Sequence, residues 1–343
     1  MRVAVAAGLL AAAALAAQET PTFRTETSLA LVRFHATKGG RYLDDLKPDD
    51  LILFEDGQPR PFALFEGGRT ARRSVPVDVS LLFDTSGSVL DNGLLDAAAF
   101  KSGLLDGLPS VRVAVYGFAA KLRRFSPPSR DYDALREALD RIGERRPGRA
   151  VNVPIELPPK RKSDPRGGTW IYEAVIGAAR DAAAQAGNAT RMIVVFSDGF
   201  ATTNSTPEDA ASVCEELGIT VYPVVLGHWK LGEKIRAQNE REANRRPGSI
   251  PSAATDRLNE QESEIQQFAG LGRLTGGGAF DPPAMGPGVL RQIVAGLAAR
   301  VQTEYVLGFT PESSGTPRRH KLEVRLRDKS LGQIVGGKRQ VVH

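Results

Sequence analysis

The fold is decided by residues 77–88, which read VDVSLLFDTSGS. Val77–Phe83 has the length and apolar content of a buried strand. The polar residues Asp84-Thr85-Ser86-Gly87-Ser88 follow directly at its carboxyl end. Open α/β sheets bind ligands at this edge. We therefore expect the carboxylate and hydroxyl oxygens of this pentapeptide to converge there.

From residue 75 onward, strand patterns alternate with helix patterns, which is typical of a parallel sheet covered on both faces. The predicted strands are Val77–Phe83, Val111–Phe118, Lys121–Phe125, Arg191–Phe196 and Ile219–Leu226, and the predicted helices are Leu94–Leu108, Asp131–Ile142, Thr169–Ala186, Thr206–Leu217, Gln261–Leu274 and Pro287–Val301. Arg145–Gly168 is predicted to be a loop, and Lys230–Leu258 a charged, partly helical insertion. The sequence thus predicts an α/β domain over residues 73–302, doubly wound around a mostly parallel sheet.

The two flanks, 18–72 and 303–343, have the pattern of β structure. The N-terminal strand-like runs are Ser28–Ala36, Leu51–Glu55 and Gln58–Phe65, and the C-terminal ones are Tyr305–Phe309, Leu322–Leu326 and Ile334-Val335. Asp56-Gly57 predicts a hairpin, whose second arm is placed at a sheet edge by Pro59 and Pro61. Each flank alone is too short for a stable core. We predict that they pair as one small β-sandwich of five or six strands, with the α/β domain inserted between them.

Composition excludes several classes of protein and site. The 343 residues are 41% hydrophobic, enough for one large or two modest cores, and the single cysteine, Cys214, excludes an intramolecular disulfide and a four-thiolate zinc site. The four histidines show no metal-ligand spacing, and we expect them at the surface or in loops. Residues 121–166 carry 13 Lys and Arg against 7 Asp and Glu. That basic stretch lacks interleaved aromatic residues, so we expect a solvated loop and no nucleic-acid partner.

Residues 1–17 have the pattern of a signal peptide: Arg2, an apolar run from Val3, and Ala14-Leu15-Ala16 at a cleavage site. The run is too short to be retained as a membrane-spanning helix. We therefore expect an exported protein, periplasmic or extracellular, with no transmembrane segment in the mature chain.

Two further loops bring oxygen ligands to the edge where Asp84 stands. Gly167-Gly168-Thr169 precedes a predicted helix, with Thr169 as its expected cap, and Ser197-Asp198-Gly199 follows a predicted strand. Hard cations such as Mg²⁺ are bound by oxygen ligands in near-octahedral geometry. These loops therefore indicate a site for a divalent cation.

The set Asp84, Ser86, Ser88, Thr169 and Asp198 resembles the metal-ion-dependent adhesion site of the von Willebrand factor type A domain. That motif is D-x-S-x-S, a later threonine and an aspartate in S-D-G, and all five positions occur here in order. The resemblance covers about residues 75–302. The flanks resemble those of bacterial exported proteins called VWFA-related, through Leu46–Asp50 and Glu55-Asp56-Gly57 before the domain and Tyr305–Phe309 after it.

The resemblance implies direct binding of the ion by Ser86 and Ser88, carboxylates at Asp84 and Asp198 that mainly hold water ligands, and a Thr169 that alternates between direct and water-mediated contact. Two carboxylates acting partly through water leave a divalent ion electrophilic, so it seeks another anionic oxygen. The expected function is metal-dependent protein binding, in which Mg²⁺ or Mn²⁺ completes its coordination with an Asp or Glu of a partner protein.

Two other functions remain open at this point. One is an envelope scaffold whose metal only stabilises the loops, since any ligand of the folded state raises stability. The other is a metal-dependent hydrolase, although the sequence has no Walker loop and no G-x-S-x-G elbow, and Ser86 stands where a dehalogenase-type phosphatase needs a second aspartate. We expect no enzymatic activity. A further alternative is that Asp84 and Asp198 only cap helices while the hydroxyls bond loop amides.

Overall fold

The structure is a computed structural model of the chain. It describes residues 29–39, 41–68, 77–95, 111–142, 144, 150–155, 168–185, 189–203, 205–244, 253–284, 286–311, 318–336 and 338–342. The predicted signal peptide lies outside the described residues, as does most of the predicted helix Leu94–Leu108.

The strands of the described residues are β1 (Ala30–Lys38), β2 (Arg41–Leu43), β3 (Leu51–Glu55), β4 (Gln58–Arg60), β5 (Leu64–Gly67), β6 (Val77–Asp84), β7 (Arg112–Phe118), β8 (Leu122–Ser129), β9 (Val151–Val153), β10 (Thr190–Ser197), β11 (Thr220–Val225), β12 (Tyr305–Phe309), β13 (Arg319–Leu326), β14 (Gln333–Gly336) and β15 (Lys338–Val342). The α-helices are α1 (Gly87–Asp91), α2 (Tyr132–Arg141), α3 (Ile171–Ala183), α4 (Pro207–Glu216), α5 (His228–Ala243), α6 (Ala253–Leu274) and α7 (Pro287–Thr303).

A mixed, mostly parallel sheet forms the centre of the α/β part. Its strand order is β11-β10-β6-β7-β8-β9. The pairs β11–β10, β10–β6 and β6–β7 are parallel, and β8 runs antiparallel to both of its neighbours. All eight residues of β6 are buried, as the sequence predicts for a central strand.

Helices cover both faces of this sheet, so the prediction of a doubly wound domain is confirmed for this part of the chain. On one face, Val79, Leu81 and Phe83 pack in a core that includes residues of α2 and α7. On the other face, Leu82 belongs to a second core, with residues of α3, α4 and α6. Alternate residues of β6 thus supply the two cores.

The two flanks supply the strands of two antiparallel sheets. One sheet has the order β14-β1-β12-β5, with β2 paired to β1, and the other has the order β15-β13-β3-β4. Each sheet contains strands from both flanks, as a shared sandwich requires. One hydrophobic core joins the sheets and includes Phe34 and Leu53 from the N-terminal flank and Leu307 and Leu322 from the C-terminal flank. The predicted strand number was too low, because β2 and β15 have no clear apolar run and because the arm Gln58–Phe65 is divided.

The division of that arm follows from its prolines. The hairpin at Asp56-Gly57 is confirmed, with both residues at positive φ, and β4 is the edge strand of its sheet. After Pro61 the chain leaves this sheet, and β5 pairs with β12 in the other one. One sequence run therefore contributes to both sheets.

The end of β5 lies beside the start of β12. Gly67, the last residue of β5, pairs with Tyr305, the first residue of β12. Gly67 has a φ of 114°, and a Cβ atom there would lie 2.2 Å from the Glu304 carbonyl oxygen. Only glycine allows this close approach. The described end of the N-terminal flank therefore lies beside the start of the C-terminal flank.

Contacts between the flanks and the α/β part lie near the amino-terminal end of β11. Arg33 of β1 donates a hydrogen bond of 2.8 Å to the Gly218 carbonyl oxygen. Arg300 of α7 stacks over Tyr42 of β2 and over Tyr222 of β11. His35 is buried beside Tyr222, with 3.4 Å between its Nε2 and the tyrosine hydroxyl, so the expectation of a surface position was wrong for this histidine.

Two interrupting segments differ from their predictions. A short edge strand, β9, lies in the segment predicted to be a loop. The charged insertion forms α5 and the first part of α6, which contact each other. The predicted helix at Gln261 therefore begins eight residues earlier, at Ala253. In the described part of the chain, no helix has the length and apolar composition needed to cross a membrane.

Candidate metal site

Asp84 lies at the base of the candidate site, as the last residue of β6. Its side chain is fully buried. Its Oδ1 accepts a 2.8 Å hydrogen bond from the Ser86 amide, and its Oδ2 accepts a 2.6 Å bond from the Ser197 hydroxyl at the end of β10. These bonds join the loops that follow two adjacent parallel strands. Asp84 is therefore fixed in a buried position at the end of the strand.

The two serines of the pentapeptide face each other. Ser86 is the N-cap residue of α1, but its hydroxyl does not cap the helix and instead lies 3.1 Å from the Ser88 hydroxyl oxygen. Ser88 also lies close enough to the Asp198 carboxylate to lower the pKa of that group. Ser86 is buried, whereas Ser88 is exposed to solvent. The serines thus connect the buried base of the site to the surface.

Asp198 follows β10 and approaches Ser88 from the neighbouring loop. The Phe200 amide donates a 3.3 Å hydrogen bond to Asp198 Oδ1, and the Gly199 amide donates to the Ser197 hydroxyl. These bonds turn the chain sharply after the strand. The structure therefore brings Asp84, Ser86, Ser88 and Asp198 together in one continuous set of contacts.

Thr169 lies in a segment bonded to the loops on either side of it. Its amide donates a 2.9 Å hydrogen bond to the Thr202 hydroxyl, and its carbonyl accepts a 3.0 Å bond from the Thr202 amide. The next amide, of Trp170, donates to the Ala119 carbonyl just after β7. Trp170 is the N-cap of α3, so the expectation that Thr169 caps this helix was wrong. Thr169 is placed beside the Asp198 loop through its backbone.

The site is electrostatically negative. Burial raises the pKa of Asp84 to about 6, the nearby Asp198 charge adds to this, and the hydrogen bonds from Ser197 and Ser86 act in the opposite direction. Burial likewise raises the pKa of Asp198. The described groups that shift the pKa of Asp84 are thus neutral or acidic. Two buried carboxylates that act on each other's charge form a place where a cation would be favourable.

The chemistry of these side chains fits a hard divalent cation. Carboxylate and hydroxyl oxygens are the ligand types that Mg²⁺ and Mn²⁺ prefer. In the described residues, no group of three or more His, Cys, Asp and Glu side chains is arranged to hold a metal. An ion at this edge would therefore depend on the serine and threonine hydroxyls as well as on the two aspartates.

Three residues around the site were not identified from the sequence as parts of it. Ser197 donates to Asp84, Thr202 bonds Thr169, and Glu173 accepts hydrogen bonds from the loop after Asp198. Ser197 has a weak signal, because it belongs to the Ser-Asp-Gly turn. Thr202 and Glu173 have none, since a single polar residue on a helix or loop does not reveal its partner.

Three solved structures are similar to this chain at low sequence identity. The protein BatB of Bacteroides thetaiotaomicron has 17% identity and a TM-score of 0.39, over 66% of this chain and 99% of that one. The manganese-loaded TRAP protein of Plasmodium vivax has 13% identity and a TM-score of 0.37, over 84% and 97%. Proximal thread matrix protein 1 of the mussel byssus, with a zinc-occupied MIDAS motif, has 13% identity and a TM-score of 0.39, over 69% and 47%.

Comparison at the level of sequence is more specific. No protein with a curated description matches the chain. The family model of the von Willebrand factor type A domain matches residues 79–200. The matched stretch runs from β6 to the turn after β10 and includes Asp84, Thr169 and Asp198. Over this part, about a third of the chain, the protein is similar to von Willebrand factor type A domains.

Proposed function

We propose that this chain is an exported protein that binds a partner protein through a divalent cation, Mg²⁺ or Mn²⁺. The ion would be held by Asp84, Ser86, Ser88, Thr169 and Asp198. The observation that supports this most is the continuous contact from buried Asp84 through Ser86 and Ser88 to Asp198. Export is proposed from the signal-peptide pattern of residues 1–17.

The chain's own residues have separate tasks in this proposal. Asp84 and Asp198 supply negative charge, and their positions are fixed by hydrogen bonds from Ser86, Ser197 and Phe200. The serine hydroxyls are neutral oxygen ligands, so they would bind the ion without adding negative charge of their own. When bound, the ion would supply Lewis acidity toward a carboxylate oxygen of the partner.

Among the described residues, the candidate site reaches the protein surface at Ser88. Asp84 is fully buried, whereas Ser88 is exposed at the surface above it. The alternative in which the hydroxyls only bond loop amides is not supported at Ser86, whose hydroxyl lies against that of Ser88. A carboxylate from another protein can therefore approach the site from the solvent side.

The proposal is tested by affinity capture from an envelope extract of the source cells with immobilised full-length chain. We expect one or more proteins to be retained in Mg²⁺ and released by chelator, and to be absent with the Asp84→Asn variant. Retention that is identical in Mg²⁺, in chelator and with the variant would contradict metal-dependent binding. A wild-type chain that binds the ion but retains nothing in Mg²⁺ would instead favour a purely stabilising metal. Turnover of generic phosphoester or peptide substrates would favour the hydrolase.

A further inference from the structure

Glu173 is a buried carboxylate beside the candidate site. It lies in the first turn of α3, four residues after Thr169, and is 1% exposed. Burying a carboxylate is costly unless hydrogen bonds compensate for the lost water. An apolar side chain of similar size would fill this position at lower cost. The groups that the Glu173 oxygens bind must therefore account for its buried position.

Both oxygens of Glu173 accept hydrogen bonds from the loop that follows Asp198. Oε2 accepts a 2.9 Å bond from the Thr203 hydroxyl, and Oε1 accepts a short bond from the Ser205 hydroxyl. Ser205 is itself buried. One side chain thus fixes two positions of the loop, five and seven residues after Asp198.

A second pair of hydrogen bonds joins the same two segments. The Thr169 amide donates to the Thr202 hydroxyl and the Thr202 amide donates to the Thr169 carbonyl. The contact is so close that a Cβ atom on Gly168 would lie 2.1 Å from the Thr202 hydroxyl oxygen. The Thr169 segment and the Asp198 loop are therefore bonded to each other through Glu173 on one side and Thr202 on the other.

We propose that Glu173 is a positioning residue for the candidate metal site: by holding Thr203 and Ser205, it fixes the Asp198 loop against Thr169 and so sets the affinity for the ion. This inference rests on the proposed function. All of these hydrogen bonds join residues of the chain to one another, so they can fix the loop before any ion is bound. Removal of groups that orient metal ligands through hydrogen bonds typically weakens metal binding by about 10- to 100-fold.

The test compares Glu173→Leu and Glu173→Gln in the full chain, by Mn²⁺ titration and by hydrogen exchange of the Phe200 and Thr202 amides in chelator. Glutamine can still bond both hydroxyls, since its oxygen accepts and its amide donates. We expect Glu173→Leu to weaken Mn²⁺ binding about 10-fold and to speed exchange at both amides. We expect Glu173→Gln to restore most of both properties.

Two other variants show whether an effect of Glu173→Leu is specific to its contacts with the Asp198 loop. Thr203→Val removes one of the two hydroxyls and leaves Glu173 in place, and we expect a smaller change in the same direction. Asp181→Leu is the matched control, because Asp181 is an acidic residue of the same helix that bonds Tyr116 and Arg124 at the other end. It is expected to lower the melting temperature without changing Mn²⁺ affinity or loop exchange.

The outcomes separate this inference from the proposed function. Equal Mn²⁺ affinity and equal exchange in wild type and Glu173→Leu would overturn the role of Glu173 while leaving the site intact. Loss of affinity in Asp181→Leu to the same extent as in Glu173→Leu would show a general effect of stability, and would also overturn it. A wild-type chain that binds no Mn²⁺ would overturn the site itself, and the role of Glu173 with it.

Discussion

Asp84 is the residue on which the proposed site depends most, because it is both charged and fully buried. In the metal-free chain this combination is unfavourable, and burial raises the pKa of the carboxyl to about 6. A folded-state pKa above the unfolded value means that stability falls as the pH rises through 6. The same charge would become favourable beside a cation. Asp84 therefore reduces stability without metal and supports binding with it.

We predict that Asp84→Asn abolishes Mg²⁺ binding but raises the stability of the metal-free protein at pH 7 by about 2 kcal/mol, since it removes a buried charge while keeping groups that can bond Ser86 and Ser197. The variant should also lose the fall in stability between pH 5 and pH 7. Urea unfolding in chelator at both pH values measures this. A variant less stable than wild type at pH 7 would contradict the assignment of Asp84 as a destabilising charge.

Cys214 gives a second prediction for a single residue. It is fully buried in α4, and burial raises the pKa of its thiol to about 12. A thiol that stays protonated and enclosed reacts slowly with alkylating reagents. We expect labelling of the native protein to be far slower than labelling in urea. Equal rates in the two states would place this helix outside the core.

The helices α5 and α6 are joined by a histidine that lies between two carboxylates. His228, at the start of α5, lies 2.6 Å from Asp281 through Nδ1 and 2.8 Å from Glu262 of α6 through Nε2. Burial acts against the charged ring, but the hydrogen bonds with Asp281 and Glu262 outweigh it and raise the pKa of His228. Only the protonated ring can donate to both carboxylates at once.

This arrangement predicts a dependence of stability on pH. The pKa of His228 is raised in the folded state, so its ion pairs stabilise the folded protein fully at a pH below the unfolded pKa. This stabilisation is lost as the pH rises through the folded-state pKa. We expect the difference in melting temperature between wild type and His228→Gln to be largest near pH 6 and to shrink toward pH 9. A difference that is constant over this range would show that the pKa of His228 is not raised in the folded state.

The elements also show how far the sequence predicts this structure. Strand β6 and the Asp56-Gly57 hairpin follow from apolar length and turn chemistry, which are local properties. The division between β4 and β5 depends on β12, which lies far along the chain in the C-terminal flank, and no local pattern specifies it. The strand β15 pairs with the nearby β13 but has no clear apolar run of its own. The pentapeptide identified the candidate site, but the burial of Asp84 and the role of Glu173 depend on how neighbouring loops meet.

At the scale of the whole molecule, the flanks and the α/β part form separate cores with limited contact. The flank sheets share one core, and their contacts with the α/β part lie near the amino-terminal end of β11, opposite the candidate site. Arg300 of α7 contacts both parts, because its guanidinium lies over Tyr42 of the flank and over Tyr222 and Phe280 of the α/β part, 4.5 Å from the Phe280 ring centre. Among the described residues, the candidate site thus lies at the end of the α/β part away from the flanks.

We predict from this division that residues 73–302 fold alone, whereas residues 18–72 do not, because the strands of the N-terminal flank lose their partners β12, β13 and β14. Circular dichroism melts of the two fragments check this. A cooperative melt of residues 18–72, together with dispersed amide resonances in their NMR spectrum, would contradict the shared core and indicate two separate β modules.

A titration of metal-free, full-length protein with Mn²⁺, followed by calorimetry or by the signal of the free ion, tests the metal site itself. The proposed site predicts one saturable ion per chain in the wild type, competition by Mg²⁺, and loss of this binding in both Asp84→Asn and Asp198→Asn. Saturable binding that survives in both variants would place the ion elsewhere. No binding in the wild type would contradict a metal site at this edge of the sheet.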